Sequence, residues 1–316
     1  MRTTTLGKNG PVVGRVGLGT MGMSFGYDPN GRDDDTSVKV IHRALELGVN
    51  LLDTADVYGP FTNEELVGRA IAGRRAEVVL STKGGQTVDE NGIHPNAGRP
   101  DQLRAAVDAS LRRLGTEYVD LYFIHRLDPS VPLEESWGAL AELVQAGKLR
   151  ALGLSEVSLE EIRRAEKVHP VTAVQSEASL FTRGSLGDVL AHCNEQGIAF
   201  MPYSPLGRGV LAGAFSKPSD LPEGDWRKFL PRFGEEAMAH NNAIVDVVRG
   251  VADRHGVTLS QVALAWLLEQ GEHVIPIPGT KRLKYLEDNA AGADVRLSAE
   301  DLAQLDALPE PLGASE

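Results

Sequence analysis

Apolar residues recur at helical spacing in several separate stretches of the chain. They are Val38/Ile41/Leu45, Leu103/Val107/Leu111/Leu114, Leu133/Trp137/Leu140/Val144 and Leu259/Val262/Trp266. Between such stretches lie short apolar, β-rich runs of the kind that strands buried on both faces show. Eight are legible, at 16–19, 50–53, 78–83, 120–124, 151–155, 173–176, 199–203 and 274–276. A glycine stands just before most of the next runs, at Gly48, Gly73, Gly115, Gly147, Gly197 and Gly271, where a left-handed helix cap is expected. At His169–Pro170 a proline ends the helix instead.

The repeat is therefore strand then helix. The last unit carries an insertion, placed between Ser204 and His240, which is rich in Gly, Pro and aromatic residues and lacks helical spacing. A loop of that length in a compact fold is usually functional. Eight strands alternating with helices predict an α/β fold, a closed (β/α)8 TIM barrel, rather than an open doubly wound sheet. No linker is apparent, so a single domain over 1–316 is expected, with an N-terminal β-hairpin and a long loop after strand 7.

Composition narrows the class. Of 316 residues, 42% are apolar and 24% charged, too apolar a mixture for a disordered chain. Acidic residues outnumber basic ones 44 to 32, a net charge of −12 that disfavours nucleic acid or anionic membrane as partner. No run approaches the roughly 20 apolar residues needed to span a bilayer. The first ten residues lack the apolar stretch of a secretory signal, and the single cysteine, Cys193, excludes an intrachain disulfide. A cytoplasmic metabolic enzyme is the expectation; oligomeric state is not legible.

One motif is a decoy. Gly17-Leu-Gly-Thr-Met-Gly22 has the letters of a dinucleotide fingerprint, but a loop follows it, and the next strand-end acid, Asp53, lies more than 30 residues on. The fingerprint needs a helix directly after it and an acid about 20 residues downstream. A glycine-lined loop at the top of strand 1 is the better reading.

Barrel enzymes carry their sites at the C-terminal ends of the strands. Strand 2 ends in Asp53, with Tyr58 in the following loop; strand 3 ends in Lys83 and strand 4 in His125. Each alone has an ordinary structural alternative: a loop-bonding carboxylate, a turn tyrosine, a snorkelling lysine, a satisfied core histidine. Four such groups on three adjacent strand ends suit proton donation to a carbonyl. An ammonium about 4 Å from a phenol, at an effective dielectric near 20, supplies about the 4 kcal/mol needed to bring its pKa from 10 to about 7. Lys83 would thus activate Tyr58, Asp53 would hold Lys83 charged, and His125 would orient the carbonyl oxygen. A hydride must come from a cofactor. The spacing of the other histidines forms no metal motif.

These residues resemble the aldo-keto reductase superfamily. The segments LLDTADVYG, STKGG, DLYFIHR, GLSE, PYSPLGRG and IPGTKRLKYLEDN look like that family in order, across nearly the whole chain. GLSE, VQSE and LFTR look like the bacterial and plant branch that includes pyridoxal reductase and perakine reductase. The resemblance implies NADPH-dependent reduction of an aldehyde or ketone, with Asp53, Tyr58, Lys83 and His125 as the catalytic tetrad and Tyr58 as general acid. It implies that Ser155 and Gln175 bond the nicotinamide carboxamide, that Tyr203 stacks on the ring, and that Gly19, Thr20 and Met21 flank the cofactor. Asp288 and Asn289 match the adenine-contacting pair.

The phosphate contacts also have a physical rationale. Ser204, Leu206 and Arg208 offer a hydroxyl, backbone N–H groups and a guanidinium for a pyrophosphate. Gly279, Thr280, Lys281 and Arg282 open a helix with two cations, which suits the 2′-phosphate of NADPH. Three positions depart from the family pattern: Glu156 in place of an asparagine, Ala178 in place of a tyrosine, and Tyr285 in place of an arginine. Phe25, Tyr27, the loop after Lys83 and the 226–233 segment are the expected pocket walls, with Trp226, Phe229 and Phe233 suggesting aromatic or aliphatic carbonyls. The alternatives are a cofactor-binding sensor with negligible turnover and a metal-dependent hydrolase using Asp53 and His125.

Overall fold

A computed structural model describes residues 1–27, 31–89 and 94–314. The chain opens with an antiparallel hairpin, β1 (Thr3–Thr5) and β2 (Val12–Gly14). A parallel sheet then runs in sequence order through β3 (Leu18–Gly19), β4 (Leu51–Asp53), β5 (Val79–Gly84), β6 (Leu121–Ile124), β7 (Leu152–Ser155), β8 (Ala173–Glu177) and β9 (Ala199–Tyr203). Successive strands are joined through helices α1 (Asp34–Glu46), α2 (Thr62–Ile71), α3 (Pro100–Leu114), α4 (Leu133–Gln145), α5 (Leu159–Glu166) and α6 (Asp188–Gln196). After β9 come α7 (Glu235–His255), α8 (Leu259–Leu268), α9 (Leu283–Gly292) and α10 (Ala299–Asp306).

The eighth run closes the ring without becoming a regular strand. Ile275 and Ile277 donate their N–H groups to the carbonyls of Phe200 and Pro202 at 2.9 and 3.0 Å. On the other side, Gly17 and Gly19 donate to Pro276 and Pro278 at 3.0 and 3.3 Å. Pro276 and Pro278 have no N–H, so the ladder is intermittent and only the single bridges Phe200–Val274 and Gly19–Gly279 form. The architecture is the (β/α)8 barrel that the strand–helix alternation predicts.

Two other expectations need correction. The insertion after β9 ends earlier than His240, because α7 starts at Glu235; before it the segment is built from short 3-10 turns. Gly271 has no left-handed backbone, unlike the other five stop glycines. The Asn194 side chain packs against it instead, 2.2 Å from where a Cβ would stand.

Strand periodicity divides the residues between two cores. Leu51, Val79, Leu121, Phe123, Ala173, Ala199, Met201, Ile275 and Ile277 point inward and fill the lower barrel. Leu6 and Val13 of the hairpin join them and plug the bottom. The alternate residues, such as Leu52, Leu80, Tyr122, Leu152, Val174 and Phe200, pack outward against the helices. One ring position is left empty for a neighbour: a Cβ on Gly153 would stand 2.3 Å from Phe123 Cε1.

Behind the sheet, a set of acids is sealed between β5, α2 and α3. Glu64 is fully buried; it pairs with Arg113 at 2.6 Å and accepts the Thr82 hydroxyl at 2.6 Å. Asp56, two residues before Tyr58, is buried beside it, and its Oδ1 has no partner among the described residues. Burial, and then the Glu64 charge, push the Asp56 carboxyl up to about 7.

Two outcomes follow from this packing. Gly153→Ala should overpack the barrel and cost about 1–3 kcal/mol, read as a lower urea midpoint; an unchanged midpoint would refute the packing argument. For Asp56 the folded pKa is raised, so its contribution is fully present below the unfolded value near 4 and is lost as pH rises through 7. Asp56→Asn should therefore be more stable than wild type at pH 8, by on the order of 4 kcal/mol, with the gap narrowing below pH 7 and closing near pH 4. A constant difference between the two proteins from pH 5 to 8 would contradict the assignment.

Candidate active site

The same alternation that fills the lower barrel with apolar side chains places polar ones at its upper rim. Two residues above Leu51 comes Asp53; above Val79 come Ser81 and then Lys83; above Phe123 comes His125. On the far strands Ser155, Gln175 and Tyr203 have the same inward parity. Parallel pairing sets Asp53 beside Ser81 and Lys83 beside Phe123, so the rim groups converge over an apolar floor.

Lys83 is the centre of this rim. It is 1% exposed, and its ammonium spends three donors on Asp53 Oδ1 at 2.5 Å, the Thr54 carbonyl at 2.9 Å and the Tyr58 hydroxyl oxygen at 3.3 Å. Burial alone would lower its pKa, but Asp53 and Tyr58 outweigh that and hold it above the ordinary lysine value. Asp53 is shared further: Ser81 donates to Oδ2 at 2.8 Å, and Gln175 reaches across the barrel to the same oxygen at 3.2 Å. Both carboxylate oxygens are thus engaged by protein donors, which disfavours a metal at Asp53. Among the described residues no cluster of three His, Cys, Asp or Glu side chains is arranged to hold a metal ion.

The phenol does not behave as the simple charge argument expects. Burial raises the Tyr58 pKa above its ordinary value near 10; the Lys83 ammonium pulls it down, but Asp53 pushes the other way. The sequence argument counted one unopposed cation, whereas here the carboxylate bonded to that cation cancels much of its field, and desolvation does the rest. The ring of His125 stands edge-on to Tyr58, with centroids 5.8 Å apart. Burial, then Lys83, Arg126 and His94, hold the imidazole pKa well below 6.5, so His125 is neutral. Its Nδ1 is buried and makes no bond among the described residues.

The other singled-out residues fall into two groups. Ser155 sits on the rim and receives a bond from Arg126 Nη1 at 3.2 Å. Ser204 and Arg208 follow β9 with φ of 48° and 55°, in the left-handed region that non-glycine residues rarely occupy, and Leu206 lies half-buried between them. Arg208 donates to the Tyr27 hydroxyl at 3.2 Å and lies over the Trp226 ring. Thr280, Lys281 and Arg282 lead into α9, and Lys281 lines a cleft of about 680 Å³ together with Phe25, Tyr27 and Trp226.

The second group is engaged elsewhere. Thr20 is fully buried, and its hydroxyl bonds Asn63 Oδ1 at 2.7 Å and the Asp53 carbonyl at 2.8 Å, leaving half-exposed Gly19 and Met21 at the rim. Gly19 is glycine because a Cβ would stand 2.9 Å from the Ile277 carbonyl oxygen, while Gly279 faces it across the barrel closure. Asp288 accepts from Thr258 at 3.0 Å and from Gln261 at 2.9 Å, so its carboxylate already braces the start of α8; Asn289 beside it is buried. Of the expected pocket walls, Trp226 stacks on Tyr27 at 5.8 Å, whereas Phe229 is 88% exposed and Phe233 lies in the helix-side core. Those two phenylalanines do not define a substrate pocket.

Sequence reasoning passed over Asn63. It is wholly buried at the start of α2, where it accepts the Thr20 and Thr54 hydroxyls and donates to the Thr20 carbonyl and to Ser24 Oγ. In this way it ties the loop after β3 to the one that carries Tyr58. An asparagine in a first helical turn looks ordinary in sequence, so only its partners reveal the role. Ser81 had a legible signal, its two-residue offset from Lys83. So did Arg126, directly after His125.

Comparison with known proteins follows this geometry. Residues 15–310 match the Aldo/keto reductase family. The glycerol dehydrogenase of Gluconobacter oxydans is 32% identical, with a TM-score of 0.87 over 96% of this chain and 94% of that one. The thermostable aldo-keto reductase Tm1743, solved with the inhibitor epalrestat, is 30% identical with a TM-score of 0.79, over 97% of this chain and 99% of that one. An aldo-keto reductase from Klebsiella pneumoniae, solved with NADPH, is 27% identical with a TM-score of 0.76, over 100% of this chain and 98% of that one. Rim chemistry, barrel and sequence agree, and the chain belongs to the aldo/keto reductase family.

Proposed function

We propose that the protein is an NADPH-dependent reductase of small aldehydes or ketones, acting in the cytoplasm, with Tyr58 as proton donor. The observation that carries this reading is the Lys83 ammonium bonded at once to Asp53 and to the Tyr58 oxygen. Because Lys83 donates into that oxygen, the phenolic hydrogen is left to point toward the barrel mouth.

The residues present suit a dinucleotide. Lys281 lines a cleft together with Tyr27 and Trp226, and at the start of α9 a helix N-terminus and two cations favour a phosphate. Arg208 and Ser204 would hold the pyrophosphate, with Leu206 in the same turn, and Gly279, Thr280, Lys281 and Arg282 the 2′-phosphate. Ser155 and Gln175 would meet the carboxamide, Tyr203 the ring, Gly19 and Met21 its flank with buried Thr20 behind them, and the adenine would lie near Asn289 and the already bonded Asp288. When bound, the nicotinamide supplies the hydride, its C–H bond breaking as the new C–H bond forms on the carbonyl carbon.

The chain's own groups handle the oxygen. Tyr58 gives up its O–H proton as the alcohol O–H forms, and the phenolate left behind is stabilised by the ammonium already in place. That interaction strengthens as charge develops, so it lowers the barrier more than it stabilises the ground state. A lowered ground-state pKa is not needed. Neutral His125 keeps one ring N–H to donate to the carbonyl oxygen, a role that an imidazolium held beside Lys83 could fill only at high cost.

Two measurements test this. Tyr58→Phe should lower kcat for aldehyde reduction about 10²–10⁴-fold while NADPH still binds, as read by nucleotide fluorescence; turnover near wild type would refute the assignment, and tight binding without turnover in wild type would mark a sensor. The pH profile follows from the directions of the shifts. Tyr58 acts protonated with a raised pKa and His125 acts neutral with a lowered one. Activity with NADPH should stay level from pH 6.5 to 9 and decline only outside that range, so a bell centred on pH 7 would count against both roles.

A further inference from the structure

The well-buried cations around the barrel mouth come with a carboxylate; half-buried Arg126 does not, among the described residues. Lys83 has Asp53, Arg227 has Asp225 at 2.5 Å, and Arg208 and Arg232 both stand near Glu177 at 3.8 and 3.7 Å. Arg126 is half-buried and makes no ion pair among the described residues, in a chain with 44 acidic side chains to choose from. Its Nη1 is anchored by the His125 carbonyl at 2.8 Å and the Ser155 hydroxyl oxygen at 3.2 Å. The Nε and Nη2 donors make no protein hydrogen bond among the described residues.

An anchored guanidinium with one edge open is a pre-set fork for a carboxylate, which would accept two parallel bonds from Nε and Nη2. Its location excludes the cofactor's phosphates as natural occupants. Arg126 follows β6, the fourth strand of the ring, whereas Arg208 follows β9 and Lys281 and Arg282 follow the closing segment beside β3, on the opposite side of the mouth. It does lie close to the reacting position, because its charge is felt by both Tyr58 and His125.

We infer that Arg126 is a specificity-determining residue that binds a carboxylate on the carbonyl substrate, so that the preferred substrates are aldehyde or keto acids. This deepens the reductase reading above and rests on it. With the carbonyl oxygen between Tyr58 and His125, the carboxylate would extend toward β6 and β7 and pair with a guanidinium that has no ion pair among the described residues.

The test compares 4-carboxybenzaldehyde and succinic semialdehyde with methyl 4-formylbenzoate, the neutral ester of the first, under NADPH consumption at low salt. The wild type should favour the acids in kcat/KM. Arg126→Met should lower the acid-to-ester ratio about 10- to 100-fold, as expected for loss of a charge-assisted pair, with most of the loss in KM. Arg126→Lys should recover part of it. A ratio unchanged within twofold, or a wild type that prefers the ester, overturns the inference while leaving the reductase reading intact. A raised NADPH Kd in Arg126→Met with an unchanged ratio overturns it in favour of a cofactor contact. No turnover of any of the three compounds by wild type removes both readings together.

Discussion

A charged amine in the interior of a barrel is expensive, and the upper half of this protein is organised around making one tolerable. Lys83 has almost no contact with water, so its charge survives only because Asp53, the Thr54 carbonyl and the Tyr58 oxygen surround it. Desolvating such a pair costs several kcal/mol per ion, repaid only when the geometry and the remaining hydrogen bonds are complete. Here they are. Ser81 and Gln175 fill the second oxygen of Asp53, and Gln175 does so from the opposite wall, so the pair also braces the barrel across its diameter. Removing either ion would strand the other, a loss of about 3–5 kcal/mol. Site and fold are therefore linked at one contact.

That contact also explains why the arithmetic of isolated charges misleads. A single cation beside a phenol makes it more acidic, but the cation here exists only in company with its counter-ion, and both are dry. The sum raises the phenol's pKa. What the arrangement offers to the proposed reaction is a donor already aimed at the oxygen that would become negative, at no cost of reorganisation. The distinction matters for reading other sequences: Asp, Lys and Tyr on neighbouring strand ends argue for stabilising a developing phenolate, not for a phenol already near neutrality.

Much of this was legible in the chain because period-two alternation does two jobs at once. The inward residues that fill the lower barrel and the inward residues that form the rim belong to the same rows, so locating Leu51, Val79 and Phe123 also locates Asp53, Lys83 and His125. The eighth segment was placed, but its irregular ladder follows from prolines whose missing donors carry no weight in a hydrophobic pattern. The insertion after β9 was recognised only by exclusion. Its aromatic residues look alike in sequence, and nothing local distinguishes Phe233, buried in the helix-side core, from Phe229, which is exposed. Asn63 was invisible for a related reason, since its value lies in four bonds to Thr20, Ser24 and Thr54, drawn from two separate loops.

The departures from the family pattern take on a physical meaning once placed. Glu156 sits at φ 53°, a conformation that asparagine tolerates better than glutamate, so the substitution keeps the turn at the expense of strain. Something must offset it. Its carboxylate accepts the Glu177 backbone N–H at 2.7 Å and so closes the gap between the ends of β7 and β8. Glu177 in turn anchors Arg208 and Arg232, the arginines at the foot of the insertion. Ala178 follows directly, wholly buried, where a tyrosine would need room that the packed core does not leave. Glu156 and Ala178 are thus parts of one local solution, a brace between the ends of β7 and β8 set over a filled core. Next to this brace, Ser155 accepts a bond from Arg126 at the end of the neighbouring β6.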